Sequence, residues 1–244
     1  MRVERIGLAT MYLADCCEVL PTLDAVDCVI TDPPYSAGTH SGARGKGATT
    51  GGAHVLLDFQ HLGDAEWVSI VGAAIGKARR WSVVFSDFDL SKYARTLAVP
   101  LIRAGVWVKN DPAPQFTGDR PGTGWEHVLV FHPEGAKKWN GGGRPAIWRT
   151  NIEKNGNVHP TQKPLALMEM LLADFTDYGE TVFDPFAGSG TTGVAAVKMG
   201  RAFIGIEREP KYFEIACQRI EAAQRQASLF EQPAAKAVQY GLAI

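Results

Sequence analysis

Cysteine is scarce in this chain, and its placement suits neither a staple nor a metal site. The four residues stand at 16, 17, 28 and 217. None forms a C-x-x-C pair and no Cys/His cluster has zinc spacing, so a disulfide scaffold and a zinc module drop out, and no metal is expected. Reduced, buried thiols in a cytoplasmic protein are the expectation. An excess of positive charge is missing too: 25 Lys and Arg face 26 Asp and Glu, a formal net charge of −1. With no overall basic field to attract nucleic acid, any such contact must come from local patches. The N-terminal stretch MRVERIGLATMYLADCC has no apolar run like that of a signal peptide. No segment approaches the ~20 apolar residues of a membrane span, so no membrane association is expected.

What the chain does have is a steady alternation of short apolar runs and amphipathic stretches. Strands are expected at 9–14, 27–31, 81–87, 104–110, 126–133 and 202–207, with a seventh running into a loop over 180–188, and helices at 64–80, 90–100, 163–176, 191–200 and 210–226. Strands alternating with helices predict a doubly wound, mostly parallel, seven-stranded α/β sheet with helices on both faces. One domain over 1–228 is expected, followed by an Ala/Gln-containing tail at 229–244 that frays. Two irregular stretches resist the pattern, about 36–60 and 111–157, rich in Gly, Pro or scattered Arg and Lys. Long irregular connections in a compact domain are usually functional or mobile.

The most informative local pattern is FDPFAGSGTTG, with Gly188-x-Gly190-x-x-Gly193 between a strand and a helix, and Glu207 at the end of the next strand. Glycines let a backbone approach a ligand closely, and a carboxylate one strand on can accept both hydroxyls of a ribose. A nicotinamide dinucleotide is the simplest ligand for such a loop. Against it stands Asp184, ahead of the glycines, where a carboxylate suits a cation better than a pyrophosphate. S-adenosylmethionine, with its adenosine, sulfonium and ammonium and no phosphate, fits that acid. A second pattern, VITDPPY at 29–35, ends an apolar run in an acid, two prolines and a tyrosine.

TDPPY and FDPFAGSGTT together resemble two motifs of the amino-group DNA methyltransferases, which methylate adenine N6 or cytosine N4. Their order here, tetrapeptide first and cofactor loop late, resembles the β-group of that family. NVHPTQKPLALMEMLL at 157–172 is similar to the segment preceding the family's cofactor strand, and YLADCCEVL at 12–20 to the segment that approaches the cofactor adenine. The resemblance runs from about 10 to 220 and implies a Rossmann-like methyltransferase fold. In that fold the strand carrying Asp184 lies beside the one carrying Asp32, although 184 − 32 = 152 positions separate them.

The resemblance also implies site residues. Asp15 and Cys16 approach the adenine of S-adenosylmethionine, Glu207 and Arg208 its ribose, and His159, Thr161 and Lys163 its methionine end, where Lys163 can pair with the carboxylate. Asp184, Pro185, Phe186, Gly188, Ser189, Gly190, Thr191 and Thr192 form the cofactor loop. Asp32, Pro33, Pro34 and Tyr35 are the catalytic tetrapeptide. An exocyclic amine is a poor nucleophile because its lone pair is delocalised into the ring. Asp32 and the Pro33 carbonyl are two acceptors that favour a tetrahedral nitrogen, the prolines stiffen that backbone, and Tyr35 stacks on the base. The amine is out of reach inside a duplex, so the base must be flipped out.

Phosphate clamps for such a complex are expected at Arg44, Lys46, Lys137, Lys138, Arg144, Arg149 and Lys154 in the two irregular stretches. The room for a recognition region is short, which points to a short site, loose specificity, or a second subunit in a homodimer. Asp rather than Ser at 32 resembles the adenine-N6 members, with cytosine N4 left open. RNA and protein-glutamine methyltransferases, a dinucleotide-dependent oxidoreductase and a catalytically silent DNA-binding module are the alternatives.

Overall fold

A single nine-stranded sheet organises the chain in a computed structural model that describes residues 1–35, 62–112, 114–115, 118–153 and 162–230, the last four of these by backbone only. The strands are β1 (Arg2–Ile6), β2 (Ala9–Leu13), β3 (Cys28–Thr31), β4 (Ser82–Ser86), β5 (Leu101–Lys109), β6 (Trp125–Phe131), β7 (Ile147–Thr150), β8 (Thr181–Asp184) and β9 (Ala202–Glu207). The described helices are α1 (Cys16–Val19), α2 (Asp64–Ile75), α3 (Phe88–Ser91), α4 (Leu165–Phe175), α5 (Thr191–Lys198) and α6 (Pro210–Phe230). None is long and apolar enough to cross a membrane.

Spatial strand order is β1-β2-β9-β8-β3-β4-β6-β5-β7. The central strands β2, β9, β8, β3 and β4 run parallel, while β1 and β6 are antiparallel to their neighbours. Parallel strands covered on both faces should be apolar throughout rather than alternating, and CVIT of β3 and SVVFS of β4 are buried at every position. One face carries α4, α5 and α6, packed through Leu167, Leu171, Ala195, Phe213 and Ile220. The other carries α2 and α3, packed through Trp67, Ile70, Val71 and Leu90.

The seven expected strands are all present, and two more flank them. β1 escaped notice because it is an exposed edge, RVERI, with almost no buried apolar residue. β7 is IWRT, four residues inside a Gly/Pro-rich stretch, paired parallel to β5. Two helices are shorter than their patterns. The first stops at Ile75, because 76–80 turns back to join β3: Lys77 O accepts from Val26 N and Arg79 N donates to Val26 O. The 90–100 stretch is a single α-turn, α3, running into a 3₁₀ helix at Lys92–Thr96.

From β3 the chain moves through α2 to β4 on one side; from β8 it moves through α5 to β9 on the other. The carboxyl ends of β3 and β8 therefore open a crevice where the winding reverses, the place where open α/β sheets bind ligands. Their adjacency is direct: Cys28 pairs with Val182 and Val29 with Phe183.

Candidate active site

At the end of β3, Asp32 enters a buried ionic cluster. Its Oδ2 accepts from Lys163 Nζ at 2.6 Å, and the same ammonium lies 3.1 Å from Glu126 Oε2 and 3.3 Å from the Tyr35 hydroxyl oxygen. The Tyr35 hydroxyl donates to Glu126 Oε2 at 2.6 Å, and Lys109 Nζ sits 2.7 Å from Glu126 Oε1. Lys163 Nζ also lies 5.1 Å from the Tyr35 ring centroid and 5.0 Å from that of Phe85. Asp32 Oδ1 is buried and has no hydrogen-bond partner among the described residues.

Charge and burial compete in this cluster. Burial lifts the Asp32 carboxyl above its usual range, with Lys163 opposing and Glu126 reinforcing the shift. Burial would also lift Glu126, but Lys163 and Lys109 overcome it and hold Glu126 at about 2. Desolvation pulls the Lys163 ammonium down, and Asp32 and Glu126 outweigh it, leaving lysine above its usual value. Burial, then the charges of Asp32 and Glu126, raise the Tyr35 phenol.

At the end of β8 the chemistry differs. Asp184 Oδ1 accepts from the Thr31 hydroxyl at 2.7 Å and the Phe186 amide at 3.1 Å, and Oδ2 from the Thr192 hydroxyl at 2.8 Å. These are neutral donors, and burial wins over them, lifting Asp184 to about 6. Glu207 ends β9 and accepts from the amides of Gly188 and Glu209, each at 2.8 Å; burial raises its carboxyl as well. Asp15 caps α1 by accepting from the Cys17 amide at 2.8 Å.

The glycine loop has structural reasons of its own. Gly190 is left-handed at φ +78, and a Cβ there would sit 2.9 Å from Ala216 Cβ on α6. A Cβ on Gly193 would come within 2.6 Å of the Phe203 ring, so the third glycine serves close helix–sheet packing. Arg219 of α6 reaches back to the loop, donating to the Ser189 hydroxyl at 2.8 Å and to its carbonyl, while the Ser189 hydroxyl donates to Gln162 Oε1 at 3.0 Å.

These pieces enclose a cavity of about 220 Å³. It is lined by Asp15, Cys16, Asp32, Pro33, Pro34, Tyr35, Lys163, Asp184, Pro185, Phe186, Gly188, Ser189, Thr191, Thr192, Glu207 and Arg208, among others. The sequence-predicted catalytic and cofactor residues thus converge, with three exceptions. Gly190 does not line the cavity, because its role is the turn against α6. His159 and Thr161 lie outside the described residues, as do Arg44, Lys46 and Lys154. Lys163 converges, but its ammonium is committed to Asp32 and Glu126 rather than open to a ligand carboxylate. Asp15, Cys16 and Cys17 crowd within 4.8 Å as a consequence of the α1 cap, and burial pushes the Cys16 thiol up to about 12.

The expected phosphate clamps separate. Lys138 pairs with Asp177, and Arg144 with Asp174, at the carboxyl end of α4. Lys163 lies just before the start of that helix, whose 11 residues span about 16 Å. Lys138 and Arg144 therefore sit at the opposite end of the strands from the cavity, tied to structural acids. Lys137 precedes them and bonds the Gly135 carbonyl at 3.2 Å. Arg149, exposed beside Val108 near the end of β7, is on the cavity's side of the sheet.

Sequence reasoning missed Glu126, Lys109, Gln162 and Arg219. Glu126 carried a signal: in WEHVLVF it shares a strand face with Val128 and Val130, both core residues. A charge in phase with a core face asks for a buried partner.

A cavity at the switch point of a Rossmann-like sheet, with an acid before a glycine loop and another ending the next strand, defines an enzyme that binds a nucleoside-bearing cofactor. The DNA methylase family model matches residues 97–218, half of the chain, and the protein belongs to that family. It is 28% identical over 224 residues to the Type II methyltransferase M2.DpnII of Streptococcus pneumoniae, covering 82% of this chain and 84% of that protein. It is 27% identical to the Type II methyltransferase M.HinfI of Haemophilus influenzae, covering 87% and 68%. Among solved structures, the M1.HpyAVI–SAM complex superposes with a TM-score of 0.66 at 27% identity, covering 87% of this chain and 98% of that one. The cytosine-N4-specific PvuII DNA methyltransferase shares the fold, with a TM-score of 0.65 at 17% identity.

Proposed function

We propose that this protein transfers a methyl group from S-adenosylmethionine to the exocyclic amine of a base flipped out of DNA, at adenine N6. The observation that carries the site assignment is the unpartnered, buried Asp32 Oδ1. A buried acceptor without a partner is costly, and what relieves it is a donor, an N–H. Lys163 cannot supply one, since three acceptors already surround its ammonium.

The cavity suits the cofactor. Asp184, ionised at neutral pH and held only by neutral donors, favours a cation, and Glu207 has lone pairs left for ribose hydroxyls. S-adenosylmethionine supplies the electrophilic methyl when bound. Asp32 Oδ1 and the Pro33 carbonyl accept the two N–H bonds of the target amine and draw its lone pair out of conjugation. Tyr35, fixed through its hydroxyl by Glu126, offers a ring face to the base. Arg149 and Lys109 lie on the side of the sheet that DNA would approach. We read 1–228 as one catalytic domain, acting as a homodimer on DNA in the restriction–modification setting of its Type II relatives.

Modified-base sequencing of DNA from cells expressing the protein tests this. N6-methyladenine at one short recurring site is the expected outcome; N4-methylcytosine would reassign the target, and unmodified DNA would overturn the reading.

A further inference from the structure

We propose that Glu126 is a positioning residue that keeps Asp32 Oδ1 free for the substrate amine by holding the competing donors away from it. The inference rests on the reading of Asp32 as the amine acceptor. Two donors stand close to Asp32: the Lys163 ammonium, already on Oδ2 at 2.6 Å, and the Tyr35 hydroxyl, near enough to Asp32 for each to shift the other's ionisation. While their present acceptors are in place neither satisfies Oδ1: three acceptors surround the Lys163 ammonium, and the Tyr35 hydroxyl gives its one hydrogen to Glu126. Glu126 Oε2 accepts a hydrogen bond from the Tyr35 hydroxyl at 2.6 Å and a second from Lys163 at 3.1 Å. Lys109 at 2.7 Å holds Glu126 itself from behind. Glu126 thus acts as a decoy acceptor, taking the one Tyr35 hydrogen and the third bond of Lys163, and leaving one carboxylate oxygen of Asp32 unmatched.

The charges fit that role. Asp32, Glu126, Lys163 and Lys109 sum to zero, so the corner needs no counter-ion from solvent. Asp184 on β8 is the other titratable group facing Asp32, and it adds a negative charge from the cofactor side. Without Glu126, Tyr35 and Lys163 each lose an acceptor, and the nearest replacement is Asp32. The amine would then have to displace an internal donor before reacting. Glu126 does not line the cofactor cavity, so its loss should spare cofactor binding.

The test compares Glu126→Ala, Glu126→Gln, Tyr35→Phe, Glu126→Ala/Tyr35→Phe and Asp32→Asn, each checked for folding by thermal melting. Glu126→Ala is expected to lower kcat about 10²-fold, as a small misplacement in a site can, with cofactor Kd unchanged. Removing an anion beside Asp32 lowers its proton affinity, so the acid limb of kcat moves to lower pH. Adding Tyr35→Phe removes one competing donor and recovers part of kcat in the Glu126→Ala background. Glu126→Gln, which folds most like the native protein, should show a smaller loss and the same direction of limb shift. Wild-type kcat in both Glu126 variants overturns the proposal. A loss with an unmoved acid limb and no recovery in the double variant also overturns it, leaving Glu126 a structural ion pair. Turnover retained by Asp32→Asn would instead overturn the assignment of Asp32.

Discussion

The two rims of the cavity hold their carboxylates by opposite means. On the cofactor rim, Asp184 and Glu207 are bound by hydroxyls and backbone amides, which are dipoles without net charge. On the catalytic rim, Asp32, with Glu126 behind it outside the cavity, is bound by Lys163, and Glu126 by Lys163 and Lys109, which cancel the two acids. The same residue type is therefore left charged on one side and neutralised on the other. A charged rim attracts a cation, whereas a neutralised rim offers hydrogen-bond geometry without a field that would repel or over-bind an uncharged base. The difference supports the proposed placement of the cation on the glycine-loop side and the amine on the Asp-Pro-Pro-Tyr side.

The largest test of that contrast is Asp32→Ala, expected to lower methyl transfer about 10³-fold, the cost of losing a transition-state hydrogen-bonding group, while calorimetry shows cofactor binding nearly unchanged. Wild-type turnover would sink the contrast. Lys163→Met converts the catalytic rim into an anionic one like its neighbour. Asp32 would then be a buried charge without a cation, beside a Glu126 held by Lys109 alone, at a cost of about 3–5 kcal/mol in stability. The Asp32 carboxyl rises further, so in whatever variant remains folded the acid limb of kcat moves to higher pH, read from a pH–rate profile.

Asp184→Asn neutralises the other rim. Cofactor affinity should fall about 10-fold. In the native protein, affinity should weaken as pH drops through about 6, where Asp184 takes up a proton and stops attracting a cation. The sign for stability is the reverse. Because the folded carboxyl sits above its usual value of 3.8, ionising it opposes folding as pH rises from that value through about 6. Asp184→Asn should thus stabilise the ligand-free protein at pH 7 by about 1–3 kcal/mol, read by denaturant unfolding; destabilisation would show that the hydrogen bonds outweigh burial. The smallest effect is expected from Arg219→Ala, a loss of a few-fold in cofactor affinity as Ser189 and Gln162 lose their anchor, with kcat at saturation unchanged.

The cofactor rim was the more legible one in the sequence, for a physical reason. Its contacts are mostly local: Thr192 and the Phe186 amide lie within eight residues of Asp184, and Gly188 lies 19 from Glu207. The catalytic rim is assembled across the chain, Lys163 reaching Asp32 over 131 positions and Tyr35 reaching Glu126 over 91. The tetrapeptide could be seen, but not what holds it. The basic residues of 133–146 misled for a related reason. Their acidic partners, Asp174 and Asp177, come some 30 or more positions later, so the cations read as a surface patch. Edge strand β1 left no apolar trace because its face is open to solvent.

The insertion of β3 between β8 and β4 also has a consequence for how the protein is made. Cys28–Thr31 leaves the ribosome early, yet its partner Val182–Phe183 follows about 150 residues later. At ~5–20 residues per second, a strand edge destined for full burial waits roughly 8–30 s for its neighbour. An unpaired strand edge of that kind is a template for aggregation, so the growing chain is at its most vulnerable before the glycine loop exists. Catalytic capacity arrives late and all at once, since neither half of the cavity has a wall until the other has been translated.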